Sequence, residues 1–133
     1  MTVIPMTELT RESTTSTPEV VADASLGLLA MTGDSYPENS YEFFGEIVRW
    51  VEEYIGQREE SLRLELRLAY LNTSSVRAML DIFDLLEEAH KQGREVAVEW
   101  LYDARNERVA ELAGEFKEDC TFPFRILPEE PEG

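Results

Sequence analysis

Two periodic segments lie close together near the middle of this chain. Residues 62–71 alternate apolar and charged side chains, with Tyr70 continuing the apolar set, which is the pattern of a strand with one buried face. In residues 76–86 apolar side chains recur every three or four positions, which is helical spacing. Residues 72–75, Asn-Thr-Ser-Ser, are therefore predicted to lie where a strand ends and a helix begins.

The side chains of this junction suit two different roles. Asn, Thr and Ser accept hydrogen bonds from the unpaired N–H groups of a first helical turn, so each is a good helix cap. The helix dipole also favours a phosphate at the same place. On the residues alone, both interpretations stay open: a junction that only caps the helix, and a phosphate acceptor that switches binding.

The rest of the chain predicts one domain, residues 17–127, between a flexible arm of residues 1–16 and an acidic tail of residues 128–133. Two strands come first and are predicted to form a hairpin. Three helix–strand units follow them. The predicted strands are 17–22, 26–32, 62–71, 96–102 and 122–127, with helices near 40–55, 74–92 and 107–116 and a polar loop at 33–40.

These elements predict an α/β two-layer sandwich. Strand–helix–strand units favour parallel pairing through right-handed crossovers, so the sheet is expected to be mixed. The strands that begin at Leu62 and Val96 alternate, whereas a sheet covered on both faces would contain continuous apolar runs. The helices are therefore expected mainly on one face. The other face is expected to be wetter and to carry Arg63, Glu65, Arg67 and Glu99.

Charge and cysteine content restrict the partners. The 28 acidic and 12 basic residues give a formal net charge of −16, which argues against nucleic acid and anionic membranes as ligands. The same charge favours basic partner surfaces. A single cysteine, Cys120, excludes an internal disulfide and fits a reducing compartment. No secretory signal or membrane span is visible in the sequence, so a cytoplasmic protein is expected.

Reactive groups are sparse, and no catalytic, metal or cofactor site is predicted. His90 is the one histidine, Cys120 has acidic neighbours that blunt a thiol, and no glycine-rich phosphate loop is present. Most carboxylates fall on polar faces. A hydrolase that assembles such carboxylates in three dimensions remains an alternative. Trp50 and Tyr54 are predicted to be core residues, with an exposed contact patch as the alternative.

Several sequence blocks resemble the SiaC family of bacterial regulatory phosphoproteins. They are Ser16-Thr17-Pro18, the Gly-Asp-Ser-Tyr-Pro-Glu-Asn-Ser run at 33–40, Glu42-Phe43-Phe44 and the Tyr-Leu-Asn-Thr-Ser-Ser run at 70–75, with Trp50, Gly93, Trp100, Tyr102 and residues 116–124. The resemblance covers residues 16–126. Residues 106–123 are especially similar to the protein that gives the family its name.

This resemblance implies a regulator and not an enzyme, with a fold like that of STAS-type anti-sigma-factor antagonists. It places the phosphorylated residue at Thr73, with Asn72, Ser74 and Ser75 as local support. The implied partners are a serine/threonine protein kinase, a PP2C-like phosphatase and a GGDEF diguanylate cyclase. The unphosphorylated form would bind and activate the cyclase, raising cyclic di-GMP and promoting aggregation and biofilm formation, and phosphorylation would release it. The alternative is a constitutive adaptor, or a STAS-like antagonist of another signalling protein, in which Thr73 is only a helix cap.

Overall fold

The computed structural model describes residues 8–130, which form six strands and three helices. In chain order these are β1 (Leu9–Arg11), β2 (Glu19–Asp23), β3 (Leu28–Ser35), α1 (Ser40–Gln57), β4 (Leu62–Leu71), α2 (Thr73–Lys91), β5 (Val96–Asp103), α3 (Glu107–Glu118) and β6 (Phe124–Glu129). No helix among them combines the length and apolar character needed to cross a bilayer.

All six strands belong to one sheet, in which the order along the chain is also the order in space. The pairs β1–β2 and β2–β3 are antiparallel, and the pairs β3–β4, β4–β5 and β5–β6 are parallel. One helix connects the strands of each parallel pair. Because such crossovers are right-handed, the three helices lie on the same face of the sheet. The predicted two-layer sandwich with a mixed sheet is confirmed.

The core lies between this helical layer and the inner face of the sheet. Leu62, Leu64, Leu66 and Leu68 of β4 are all at most 1% exposed, as their alternation predicts. They pack against Val98 and Trp100 of β5 and against apolar residues of the helices, among them Ile47, Val51, Met79, Ile82, Leu86 and Phe116. Trp50 and Tyr54 are buried and stacked, with ring centroids 5.5 Å apart. They are core residues, and the alternative of an exposed contact patch is wrong for them.

The opposite face of the sheet carries the charged positions of the same strands. Arg63 is exposed, whereas Glu65, Arg67 and Glu99 are half-buried. The Nε atom of Arg67 donates to Oε1 of Glu129 across the sheet at 3.0 Å. The prediction that this face is the wetter one is confirmed.

Both ends of the domain extend further than predicted. Leu9–Arg11, within the predicted flexible arm, pair with β2 as an edge strand, and the Arg11 guanidinium contacts Glu46 of α1 at 2.8 Å. A strand of three residues is too short to show a period, so it cannot be recognised from spacing. The last strand continues through Pro128 to Glu129, because an edge strand tolerates proline. Residues 1–7 of the predicted arm and 131–133 of the predicted tail lie outside the described residues.

An irregular register at the end of β4 corrects the prediction for Tyr70. Gly33 of β3 pairs with Leu68, but the next residue, Asp34, pairs with Tyr70, so Ala69 is an extra residue. This bulge turns Leu71 inward and leaves Tyr70 54% exposed. Residues 33–35, predicted as loop, pair with β4 and therefore belong to β3.

Candidate functional site

Parallel strands end at the same edge of a sheet, and all three helices begin at that edge. We call it the carboxyl edge. Each helix is capped by an asparagine, at positions 39, 72 and 106, and each Asn side chain accepts from the N–H three residues later, at 3.1, 2.9 and 3.2 Å. Three helix N-termini, each with a partial positive charge, are thus gathered at one end of the molecule.

The cap of α2 is Asn72 and not Thr73. The Asn72 Oδ1 atom accepts from the N–H of Ser75 at 2.9 Å and from the hydroxyl of Ser74 at 3.1 Å. The Asn72 N–H is itself held by the Ser35 carbonyl at 3.0 Å. Thr73 is therefore the first residue of the helix. Thr73 is not the cap that the alternative interpretation assigned to it, because the Asn72 side chain caps the helix.

Ser75 and Ser74 both use their hydroxyls to fix the helix in place. Ser75 is fully buried, and its hydroxyl donates to the Ser35 carbonyl at 3.1 Å and lies 2.8 Å from the Ser35 hydroxyl. The Ser74 hydroxyl bonds that of Ser40, which joins the first turns of α1 and α2. Both residues support the local structure. Their partners, Ser35 and Ser40, are too distant along the chain for sequence spacing to predict these hydrogen bonds.

Thr73 differs from both of these serines. Its side chain is exposed, and its hydroxyl forms no hydrogen bond with any residue from 8 to 130. The first turn of α2 also contains no acidic residue, whereas α1 has Glu42 and α3 has Glu107 in that turn. Of the three adjacent hydroxyls, only the one on Thr73 is both exposed and free of hydrogen bonds to residues 8–130.

Three exposed tyrosines lie at the same carboxyl edge as Thr73, and sequence reasoning missed this surface. Tyr36, Tyr41 and Tyr70 are 42%, 91% and 54% exposed, and the rings of Tyr36 and Tyr70 meet edge to face with centroids 5.9 Å apart. We call these residues the tyrosine patch. Tyr70 reaches the surface only because of the β4 bulge, so no period in the sequence could have placed it there. Exposed aromatic side chains are typical anchors of protein interfaces.

A groove of about 900 Å³ runs between α1 and α2 from the same edge. Phe44, Gly45, Val48 and Ala78 supply its apolar and small side chains, and its polar lining includes Ser40, Glu42, Arg49, Ser74, Arg77 and Asp81. We call it the α1–α2 groove. Tyr41 also lines it, and so does Arg77, one helical turn after Thr73. The groove therefore begins at the first turn of α2, the turn that Thr73 starts.

The residues considered for catalysis, Cys120 and His90, lie at the carboxyl-terminal ends of α3 and α2, away from the carboxyl edge of the sheet. Cys120 is half-buried, and its thiol donates to the Phe116 carbonyl at 3.3 Å. Burial first, and then the charges of Glu87 and Asp119, raise the pKa of this thiol to about 11. His90 lies near the Phe122 ring. Among residues 8–130, no three histidine, cysteine or carboxylate side chains come together in a group that could hold a metal ion.

The cap geometry gives a first prediction. Replacing Asn72 with alanine removes the acceptor for the Ser75 N–H, so we expect the free energy of unfolding to fall by about 1 kcal/mol. Replacing Thr73 with alanine breaks no hydrogen bond, so we expect a change below about 0.5 kcal/mol. Urea denaturation of the two variants measures the difference. Equal losses in both would contradict the assignment of the cap.

Comparison with known proteins agrees with this architecture. The family described as SiaC family regulatory phosphoprotein matches residues 11–129. An uncharacterized protein of Pseudomonas aeruginosa (strain UCBPP-PA14) is 59% identical over 121 residues, covering 91% of this chain and 96% of that protein. The structure of SiaC of Pseudomonas aeruginosa matches with a TM-score of 0.89 at 55% identity, over 93% of this chain and 100% of that one.

A further match is to a relative whose structure was solved together with a partner protein. It is a chain in the crystal structure of the diguanylate cyclase SiaD in complex with its activator SiaC from Pseudomonas aeruginosa. Its TM-score is 0.89 at 58% identity, and the match covers 91% of this chain and 99% of that one. Both the extent of these matches and their identity exceed what a shared fold alone would give. The chain belongs to the SiaC family of regulatory phosphoproteins.

Proposed function

We propose that this protein is a phosphorylation-controlled activator of a GGDEF diguanylate cyclase in the bacterial cytoplasm. The unphosphorylated form binds the cyclase and raises cyclic di-GMP, which promotes aggregation and biofilm formation. A serine/threonine protein kinase phosphorylates Thr73 and ends binding, and a PP2C-like phosphatase restores it. The protein catalyses no reaction itself. The observation that carries this proposal is the exposed, unbonded hydroxyl of Thr73 in a chain whose relative SiaC activates SiaD.

The choice of acceptor follows from what a kinase needs. The attacking hydroxyl must enter the kinase active site without first breaking its own contacts. Ser75 is fully buried and bonded to Ser35, so reaching it would require α2 to detach from β3. Ser74 is exposed but bonded to both Ser40 and Asn72. Only Thr73 among them meets the requirement as it stands.

The folded domain should accept the phosphate without rearrangement. A phosphate adds about −1.5 to −2 charges near pH 7, and at a helix N-terminus the dipole returns roughly 0.3–2 kcal/mol of stabilisation. No carboxylate in the first turn of α2 opposes it. Modification therefore changes the surface and leaves the fold intact.

An interface over the same surface should not accept the phosphate. Thr73 lies at the same carboxyl edge as the tyrosine patch, so a partner bound over this edge would cover aromatic rings and exclude water. Burying an uncompensated charge in such a contact costs several kcal/mol, and each ~1.4 kcal/mol is a tenfold change in affinity. A single phosphate is thus sufficient to release the partner.

Intact-mass measurement after incubation with the purified partner kinase and ATP tests the proposal. We expect the mass of one phosphate on the wild-type protein and on Ser74→Ala, none on Thr73→Ala, and removal of the phosphate by the PP2C-like phosphatase. Phosphate that persists on Thr73→Ala would overturn the assignment. Cyclase binding by a protein that takes up no phosphate would favour a constitutive adaptor.

A further inference from the structure

We propose that the outer face of the sheet binds a second copy of this chain and forms a two-fold dimer. This surface is the side of β2–β6 opposite the three helices, and we call it the open face. It is a different surface from the carboxyl edge that carries Thr73. The inference therefore goes beyond the proposed function and does not depend on it.

The charges of the open face are balanced, although the chain as a whole is strongly acidic. The formal net charge is −16, and the three helices together carry 12 acidic and five basic residues. On β4, β5 and β6 the open face carries three arginines and three glutamates, namely Arg63, Arg67, Arg125, Glu65, Glu99 and Glu129. Because like net charges keep two copies apart, the open face is the surface on which they can approach with little repulsion.

The other acidic residues of the open face lie at its margins or are paired. Glu19 and Asp23 are at the two ends of β2, and Asp34 is near the end of β3. Asp103, at the end of β5, forms a salt bridge with Arg105 at 2.8 Å. The middle of the face, over β4 and β5, is thus the part where charges of both signs alternate.

Four charged side chains in this middle region have no ion-pair partner in their own chain. Arg63, Glu65, Glu99 and Arg125 take part in none of the three salt bridges formed within residues 8–130. Glu65 and Glu99 are register partners on neighbouring strands, and both are half-buried. Two like charges side by side repel each other, so a cation that approaches from outside the chain would stabilise this pair.

A two-fold axis supplies that cation from the second copy. Arg63 and Glu65 are successive side chains on the open face of β4. An axis that crosses β4 between them places Arg63 of one copy against Glu65 of the other, with Glu99 beside it, and the reverse contact forms at the same time. The strands of the two copies then run antiparallel, which fits the aligned packing of two sheets.

Apolar side chains around these charges provide the rest of the contact. They are half-buried on three strands of the open face: Leu28 and Ala30, Ala97 and Leu101, and Leu127. Four strands of about eight residues cover roughly 500 Å² per copy, at ~4.8 Å between strands and ~3.3 Å per residue. A total of about 1,000 Å² is at the lower limit of a specific interface, so a dimer of micromolar affinity is expected.

Sedimentation velocity of the full chain, over a series from micromolar to millimolar concentration, tests the dimer. We expect wild type to change from monomer to dimer as its concentration rises. Arg63→Glu and Glu65→Arg each create two like-charge contacts in a two-fold dimer, so each should self-associate at least about tenfold more weakly. One substitution makes the net charge more negative and the other less negative, so a general effect of charge would shift the two variants in opposite directions.

Mixing the two single variants in equal amounts tests the register of the contact. In the mixed dimer each glutamate at these positions faces an arginine, so the mixture should recover dimerisation. The double variant Arg63→Glu/Glu65→Arg, which has the net charge of wild type, should recover it as well. Arg108→Glu and Glu111→Arg, at exposed positions of α3, are the matched controls and should change self-association by less than about twofold.

Three results would contradict the inference. Wild type that stays monomeric at millimolar concentration would overturn the dimer, and dimers that persist in both single variants would overturn the surface. Loss of dimers in the single variants without recovery in their mixture would overturn the two-fold register. None of these results bears on the proposed switch, because Thr73 lies at the carboxyl edge and phosphate uptake is measured separately by intact mass.

Discussion

A Thr73→Glu variant is expected to bind the diguanylate cyclase at least about tenfold more weakly than Thr73→Ala, and the phosphoprotein about 100-fold more weakly. Both changes put negative charge at the one exposed, unbonded hydroxyl of residues 72–75, at the carboxyl edge that also carries the tyrosine patch. Glutamate carries less charge than phosphate and fewer acceptor oxygens, so its effect should be the smaller. Calorimetric titration of the cyclase with each form measures the two factors.

Two controls show whether Thr73→Glu loses binding because of the position of the new charge. One tests whether the variant is still folded, and the other tests the effect of one added negative charge elsewhere. Thermal unfolding of Thr73→Glu should match that of wild type, because a carboxylate in the first turn of α2 is favourable to the helix. Gln57→Glu is the charge control, since Gln57 is exposed at the other end of α1. It should bind as wild type does. Thr73→Glu that binds as well as Thr73→Ala would count heavily against a switch at this position.

The sheet and its helical layer could be predicted from the sequence because the buried face of a strand or helix gives a periodic pattern of apolar residues. Alternation in β4 and β5 identified the buried face, and their charged residues identified the wet one. Asn72 and Thr73 were found at a strand-to-helix junction for the same reason. The junction therefore follows from local patterns, whereas the proposal that Thr73 is the phosphate acceptor came from resemblance to a family.

What the sequence did not reveal depends on contacts between distant residues or on departures from a period. The Ser75 hydroxyl is hydrogen-bonded to that of Ser35, 40 residues away along the chain, and the Ser74 hydroxyl to that of Ser40, 34 residues away. No spacing rule pairs them, yet these bonds leave Thr73 as the free hydroxyl. The extra residue in β4 exposes Tyr70 against the alternation. Much of the candidate binding surface is thus a product of tertiary structure.

The second large effect is expected at the opposite edge of the sheet, where Gly27→Ala should destabilise the fold by about 2–4 kcal/mol. Gly27 has φ +61°, a left-handed conformation that alanine adopts at a cost. A Cβ there would overlap the Ser61 carbonyl oxygen and come within 2.7 Å of the Tyr54 hydroxyl. These two groups are hydrogen-bonded to each other at 2.8 Å, and backbone atoms cannot move aside as a flexible side chain can. Urea denaturation measures the loss.

The same substitution at Gly114 is the control, and it should have the opposite sign. A Cβ on this helical glycine meets no atom within 4 Å, so Gly114→Ala is expected to stabilise the protein by about 0.5–1 kcal/mol. If Gly27→Ala lowers the free energy of unfolding only slightly, the β2–β3 turn must move away from β4 to make room for the Cβ atom. Because Gly27 lies at the amino end of β3, far from Thr73, the folded fraction of Gly27→Ala should still bind the cyclase normally. The stability effect of Gly27 and the proposed switch at Thr73 would then lie at opposite edges of one sheet, and each could be changed without the other.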